Sequence, residues 1–296
     1  MPLNGLVVPA ISLFADDGKL DLAKNTRFIR GLIDDGVRHI LSLGSPGEAE
    51  LLTPEELEAL LEKVVESCTF GTDVWAGIDA PTTEDAVARA DTAEAAGASV
   101  LVAFPPPAPS DAGMVLERFR SIHAQSKLPL LAYQVTGQAR PVVPATVYHT
   151  LAKEGTLAGV LDAAGSPQGL DALLQGAPSE LSVFTGDGAA LTSARGRGAR
   201  GLVWESANVL PRLASKIWET LEKGPQDRLA PLLALQDVVV QAVRAGPQPS
   251  SLKFLAHYLR EADEGYRAPN LPLTPEQSSK LVALVEPHKA ALQEYA

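Results

Sequence analysis

Aromatic residues make up only 5% of this chain of 296 residues, and there is a single cysteine, Cys68. One cysteine excludes an internal disulfide and any Cys-rich metal site. With so few rings, the core must be built from Ala, Val and Leu. Positive charge is also short: 25 Lys and Arg stand against 36 Asp and Glu, for a net charge of −11. A nucleic-acid binder usually shows a basic face, and this balance argues against one. No apolar run approaches the roughly 20 residues of a membrane span. The opening MPLNGLVVPAISLF has no charged leader, and its apolar run holds a proline and a serine. It reads as a strand, not a signal peptide, so a soluble cytoplasmic protein is expected. The partner expected is a small molecule, with no nucleic acid and no membrane.

What is present is ordinary for a globular chain: 46% hydrophobic and 21% charged residues. The length suits roughly two domains, or one α/β barrel with an appendage. Eight short apolar runs recur, at 6–11, 39–43, 74–78, 99–104, 128–133, 157–161, 181–185 and 201–204. Each is too continuously apolar for a one-sided antiparallel strand; buried parallel strands read this way. Helical patterns fill the gaps, at 20–35, 53–67, 83–96, 112–125, 144–153, 168–175 and 188–195. In the cleanest, Thr53 caps, Pro54 suits the first position and Glu56 completes a capping box. Gly36, Gly97, Gly155 and Gly176 stand where helices should stop. Eight alternating units predict an α/β protein, a closed (β/α)8 TIM barrel, with an open doubly wound sheet as the second choice. The barrel is expected over 1–223, its last helix around 207–221. A C-terminal extension of three helices, packed on the barrel, is expected over 224–296.

Two motifs fail their context. Residues 196–201, GRGARG, fit GxGxxG, but a dinucleotide fingerprint follows a strand and opens a helix. This one follows a predicted helix and precedes a strand, so it reads as a turn. The histidines, His39, His123, His149, His257 and His288, all miss the C-terminal strand ends, where barrel chemistry sits. Neither a His-based triad nor a zinc site is expected. The strand ends carry Ser12, then Gly44-Ser45-Pro46-Gly47-Glu48, Asp79 and Phe104-Pro105-Pro106-Pro107. Next come Tyr133-Gln134, Leu161-Asp162, Thr185-Gly186-Asp187-Gly188 and Glu205-Ser206-Ala207-Asn208. These groups offer hydroxyls, one phenol and several carboxylates, with no lysine and Arg140 as the nearest arginine. So acidic a mouth suits a cationic or polyhydroxyl ligand better than a dianion.

Several pieces fall in a familiar order: Gly5-Leu-Val-Val-Pro-Ala10, Leu43-Gly-Ser-Pro-Gly-Glu48 before Leu52-Thr-Pro-Glu-Glu56, and Leu128-Pro129 leading to Tyr133. Phe184-Thr-Gly-Asp187, Gly201-Leu-Val-Trp-Glu-Ser-Ala-Asn-Val-Leu-Pro211 and Ser251-Leu-Lys253 follow. Over nearly its whole length the chain resembles the dihydrodipicolinate synthase/N-acetylneuraminate lyase family of class I aldolase-type barrels. The resemblance implies lyase or aldolase chemistry on a 2-oxo acid, no cofactor, no metal and a homotetramer. It also implies ligand contacts at Ser45, Gly47, Glu48, Gly186, Asp187 and Val203, and a catalytic role for Tyr133.

In that family a strand-6 lysine, within Gly-Ile-Lys-Asp/Glu, forms a Schiff base with pyruvate. Here the stretch reads Gly159-Val160-Leu161-Asp162, and Leu161 cannot form an imine. Other positions have drifted. The paired threonines before Gly-Glu are Ser45 and Pro46, and Pro46 has no N–H to offer a carboxylate. The aromatic hydroxyl after strand 4 falls within Pro105-Pro106-Pro107, and the arginine beyond the strand-5 tyrosine aligns with Gln138, Arg140 lying two residues on.

Three functions stay open. The first is a small-ligand-binding or regulatory relative, acting alone or beside an active paralogue, without class I chemistry. The second is an enzyme of different chemistry, with Asp79, Asp162, Asp187 and Glu205 around a divalent ion or Tyr133 as general acid/base. The third is a lyase on a 2-oxo acid using a relocated lysine, for which Lys253 is the residue to locate.

Overall fold

A computed structural model of the chain describes residues 3–69, 71–135, 140, 142–163, 166–186 and 188–296. Its strands are β1 (Gly5–Pro9), β2 (His39–Ser42), β3 (Asp73–Gly77), β4 (Val100–Ala103), β5 (Leu130–Gln134), β6 (Gly159–Asp162), β7 (Ser182–Thr185) and β8 (Ala199–Val203). They close in sequential order into a barrel, β8 lying parallel to β1 through Gly5↔Gly201, Leu6↔Leu202 and Val7↔Val203. Each observed strand overlaps a predicted one. Burial explains the legibility: every residue of β1, β4, β5, β6 and β7 is buried, so both faces had to be apolar.

Helices follow the strands: α1 (Leu22–Asp34), α2 (Pro54–Ser67), α3 (Thr83–Ala96), α4 (Ala112–Gln125), α5 (Ala145–Lys153), α6 (Pro167–Leu174), α7 (Gly188–Arg195) and α8 (Pro211–Lys223). Gly97 ends α3 as expected, at φ +93°, a conformation glycine takes without a Cβ penalty. The last barrel helix begins later than 207. Residues Glu205–Asn208 form a 3₁₀ turn, and Pro211 opens the α-helix, where its missing N–H costs nothing. Beyond it lie α9 (Leu229–Arg244), α10 (Ser250–Arg260), α11 (Pro275–Val285) and α12 (Lys289–Gln293). The last of these is too short to show a periodicity of its own. No helix among the described residues is long and apolar enough to cross a membrane.

The chain packs as two compact units, one of residues up to 7 with 73–204, the other of residues 8–72 with 205–296. In the first, the GRGARG stretch links α7 to β8, a helix-to-strand turn. Its last glycine has a packing reason: a Cβ on Gly201 would stand 2.1 Å from the Gly5 carbonyl oxygen and 2.6 Å from the Phe184 ring. Since β1 cannot yield without opening the barrel, Gly201→Ala should cost about 1–3 kcal/mol in urea unfolding. A variant as stable as wild type would contradict this packing argument.

In the second unit, Thr53 and Glu56 form the expected capping box, at 3.2 and 3.1 Å. Glu56 also accepts from Arg267, at 2.5 and 2.7 Å, and from the Leu20 amide at 3.3 Å. The Arg267 hydrogen bonds hold its carboxyl down to about 2, against an ordinary 4.5. A depressed folded-state value gives stability that is full above pH 4.5 and is lost as pH falls toward about 2. Glu56→Gln should therefore flatten the loss of stability across that interval. An unchanged acid limb in the urea midpoints would reject the assignment.

Candidate functional site

Within the first unit, β5 and β6 set Tyr133 beside Leu161, and β6 and β7 set Leu161 beside Phe184. All three side chains are fully buried. Phe104, at the end of β4, lies on Tyr133 with ring centroids 5.1 Å apart and tilted by 58°. Beneath them the Tyr148 hydroxyl donates to Gln134 Oε1 at 2.8 Å. Burial first, and the Asp162 charge second, push that hydroxyl far above the ordinary tyrosine range. After β7, the Gly186 amide donates to the Asp162 carbonyl at 2.7 Å, and its carbonyl accepts from Trp204 Nε1 at 3.2 Å. Val203, in β8, is buried as well.

The ends of β3 and β4 carry the charge. Arg140 Nη2 donates to both carboxylate oxygens of Asp79, at 2.6 Å each, and Nη1 donates to the Pro105 carbonyl. Its guanidinium also rests 5.2 Å from the centre of the Phe104 ring. Arg118, on α4, is buried; it donates to the Phe104 carbonyl at 3.1 Å and the Ala80 carbonyl at 2.7 Å. Arg89, on α3, donates to the Asp79 carbonyl. Burial pushes the Asp79 carboxyl upward, while Arg140, then Arg118 and Arg89, oppose the rise. Arg140 does reach the strand ends, but Arg118 and Arg89 reach them too, from the helices, which corrects the expected acidity. This corner is therefore not acidic.

Ser45, Gly47 and Glu48 belong to the second unit, in the loop after β2. Residues Ser45–Gly47 form a 3₁₀ turn with Pro46 at its start. The Ser12 hydroxyl donates to the Gly47 carbonyl at 2.6 Å. Glu48 holds a left-handed backbone, φ +53°, which is uncommon for a residue with a side chain. Its carboxylate accepts from Lys253 Nζ at 2.5 Å and from Asn270 Nδ2 at 2.8 Å. Lys253, on α10, is fully buried. Its ammonium also donates to the Gly265 carbonyl at 2.9 Å and lies 4.9 Å from the Phe14 ring centre and 5.4 Å from that of Tyr266. Burial pushes Glu48 up and Lys253 down, each shift opposed by the partner's charge.

Asp187 and Gln138 lie outside the described residues. Asp162 is buried at the end of β6, and Asp79 is committed to Arg140. Among the described residues no group of three or more His, Cys, Asp or Glu is arranged to hold a metal ion. What sequence reasoning missed is Arg118, Arg89 and the pairing of Lys253 with Glu48. One signal was available: Arg118 falls within the buried stripe Val115, Phe119, Ile122 of α4, an odd place for a cation without a buried duty.

Fold and strand ends together define a (β/α)8 barrel whose chemistry-bearing residues lie where the strands finish. Residues 2–288 match the model of the dihydrodipicolinate synthetase family, and the chain belongs to that family. An uncharacterized DapA-like lyase of Halobacterium salinarum is 31% identical over 264 residues, covering 89% of this chain and 86% of that one. A 4-hydroxy-tetrahydrodipicolinate synthase of Neisseria meningitidis is 26% identical, over 96% and 98% of the two chains. Among solved structures, dihydrodipicolinate synthase DapA-2 of Bacillus anthracis superposes with a TM-score of 0.89 at 22% identity, covering 97% and 99%. A prophage protein of the same family from E. coli K12, solved with pyruvate, gives 0.89 at 21% identity over the same shares.

Proposed function

We propose that this chain is a small-ligand-binding or regulatory member of the family that has lost class I imine chemistry. One observation carries the reading: the place of the family's Schiff-base lysine, in β6, is held by a fully buried leucine, Leu161. Hydrocarbon has no amine to condense with a ketone, and losing a covalent nucleophile costs many orders of magnitude in rate. Two further observations support it. Tyr133, the phenol a proton relay would use, is fully buried with Phe104 against its ring. Lys253, the candidate for relocation, is a buried partner of Glu48 that knits α10 to the loop after β2. Tyr133, Gly186 and Val203 are then inherited positions, with a ligand held at the ends of β3 to β6. From the resemblance we infer a cytoplasmic homotetramer, which light scattering on the purified protein would check.

The direct test is pyruvate with borohydride, followed by intact-protein mass. Borohydride reduces an imine to a stable amine, so any Schiff base leaves a permanent mass increase. We expect none on this chain and a full adduct on a lysine-bearing relative treated alongside. A lysine-linked adduct on wild type overturns the reading, and peptide mapping then identifies the lysine.

A further inference from the structure

We infer that Asp79 decides which ligands this site refuses: its carboxylate fills, from inside the chain, the place on Arg140 that an acid ligand would take. The inference rests on the ligand-binding reading above and narrows the ligand to small molecules without a carboxylate.

The donors of Arg140 are only partly matched. Its side chain is 10% exposed, and a guanidinium offers five N–H groups in a fixed plane. Nη2 reaches both oxygens of Asp79, and Nη1 takes the Pro105 carbonyl. The buried Nε has no hydrogen-bond partner. A carboxylate that shares one nitrogen between two oxygens does not make the side-on fork such groups prefer. Asp79 is thus an incomplete partner, reached from β3, rather than a perfected structural ion pair.

The surroundings add positive charge. Arg118 spends hydrogen bonds on the Phe104 and Ala80 carbonyls, and Arg89 donates to the Asp79 carbonyl, so neither is neutralised by these bonds. Asp85 and Glu84 act on Arg118 from the first turn of α3, where both are exposed. Three guanidiniums therefore meet one internal carboxylate. An acid ligand that takes Nη2 of Arg140 must displace Asp79 and leave it half-buried, facing only Arg118 and Arg89. The exchange makes one charge-assisted contact and breaks another, so it gains nothing. A ligand without a carboxylate leaves the pair intact.

Malonate is the probe, because it carries carboxylates but no ketone and cannot form an imine. Its binding is followed by isothermal titration on wild type, Asp79→Asn and the double variant Asp79→Asn/Arg140→Gln. Wild type should show no saturable binding with a Kd below about 1 mM. Asp79→Asn should bind at least about tenfold more tightly, with an affinity that falls as salt rises, since one charge-assisted contact is gained. The double variant should return to the wild-type level. A folded Asp79→Asn protein that binds malonate no better than wild type overturns the inference. So does a double variant that binds as well as the single one. If Asp79→Asn does not fold, wild type itself decides: saturable malonate binding that Arg140→Gln abolishes would sink the idea. A pyruvate adduct on wild type would instead remove the reading beneath it and leave the malonate comparison untouched.

Discussion

Lys253→Met should lower the unfolding free energy by about 3–5 kcal/mol, the cost of leaving a buried charge without its partner. The group left behind is Glu48, buried and already on a left-handed backbone. Its carboxylate would then keep the Asn270 amide, at 2.8 Å from Oε1, and the more distant charge of Arg267. At this size the midpoint of thermal unfolding should fall by on the order of 10 °C. The double variant Glu48→Gln/Lys253→Met should cost clearly less than the sum of its single variants, because it leaves no orphaned charge. Strict additivity in a double-mutant cycle, or a single-variant cost under about 1 kcal/mol, would mean that the pair behaves like an exposed one and does not tie α10 to the loop after β2.

The second large effect is a gain. Leu161→Lys should convert a protein with no borohydride-trappable pyruvate into one that is trapped on the introduced amine. The site is fully buried, and burial favours the neutral amine, which is the nucleophilic form. The same burial should make the variant measurably less stable than wild type. Trapping should not bring turnover of an aldol substrate. Pro46 still has no N–H to donate, and Pro105, Pro106 and Pro107 still stand where the resemblance implies an aromatic hydroxyl. Mass spectrometry of the trapped protein, beside a steady-state assay of pyruvate release, separates the two steps. A folded variant that fails to trap pyruvate would show that Leu161 is not the sole barrier to the imine.

Both experiments turn on what one dimension of information can carry. The capping box of α2 was legible to the atom, because Thr53 and Glu56 are three residues apart and meet through local geometry. The start of α8 was not: a helix was expected from about 207, but Glu205–Asn208 tighten into a 3₁₀ turn and the α-helix opens only at Pro211. The acidity expected at the strand ends also failed. Asp79 stands alone in the sequence, and its partner Arg140 comes 61 residues later.

The sequence by itself determined the barrel, and it set a leucine, Leu161, in β6. Strands buried on both faces must be apolar throughout, and helices packed on one face must repeat at 3.6 residues, so the alternation is written locally. The residue at position 161 is read without reference to any neighbour, and a leucine side chain carries no amine. Only the tertiary structure decided which charges are spent. Glu48 meets Lys253 across 205 residues, and Arg118 turns inward from a helix to the carbonyls of the β3 and β4 ends. Such pairings follow from through-space distance and burial, which set the strength of a charge contact and leave no periodicity in the chain.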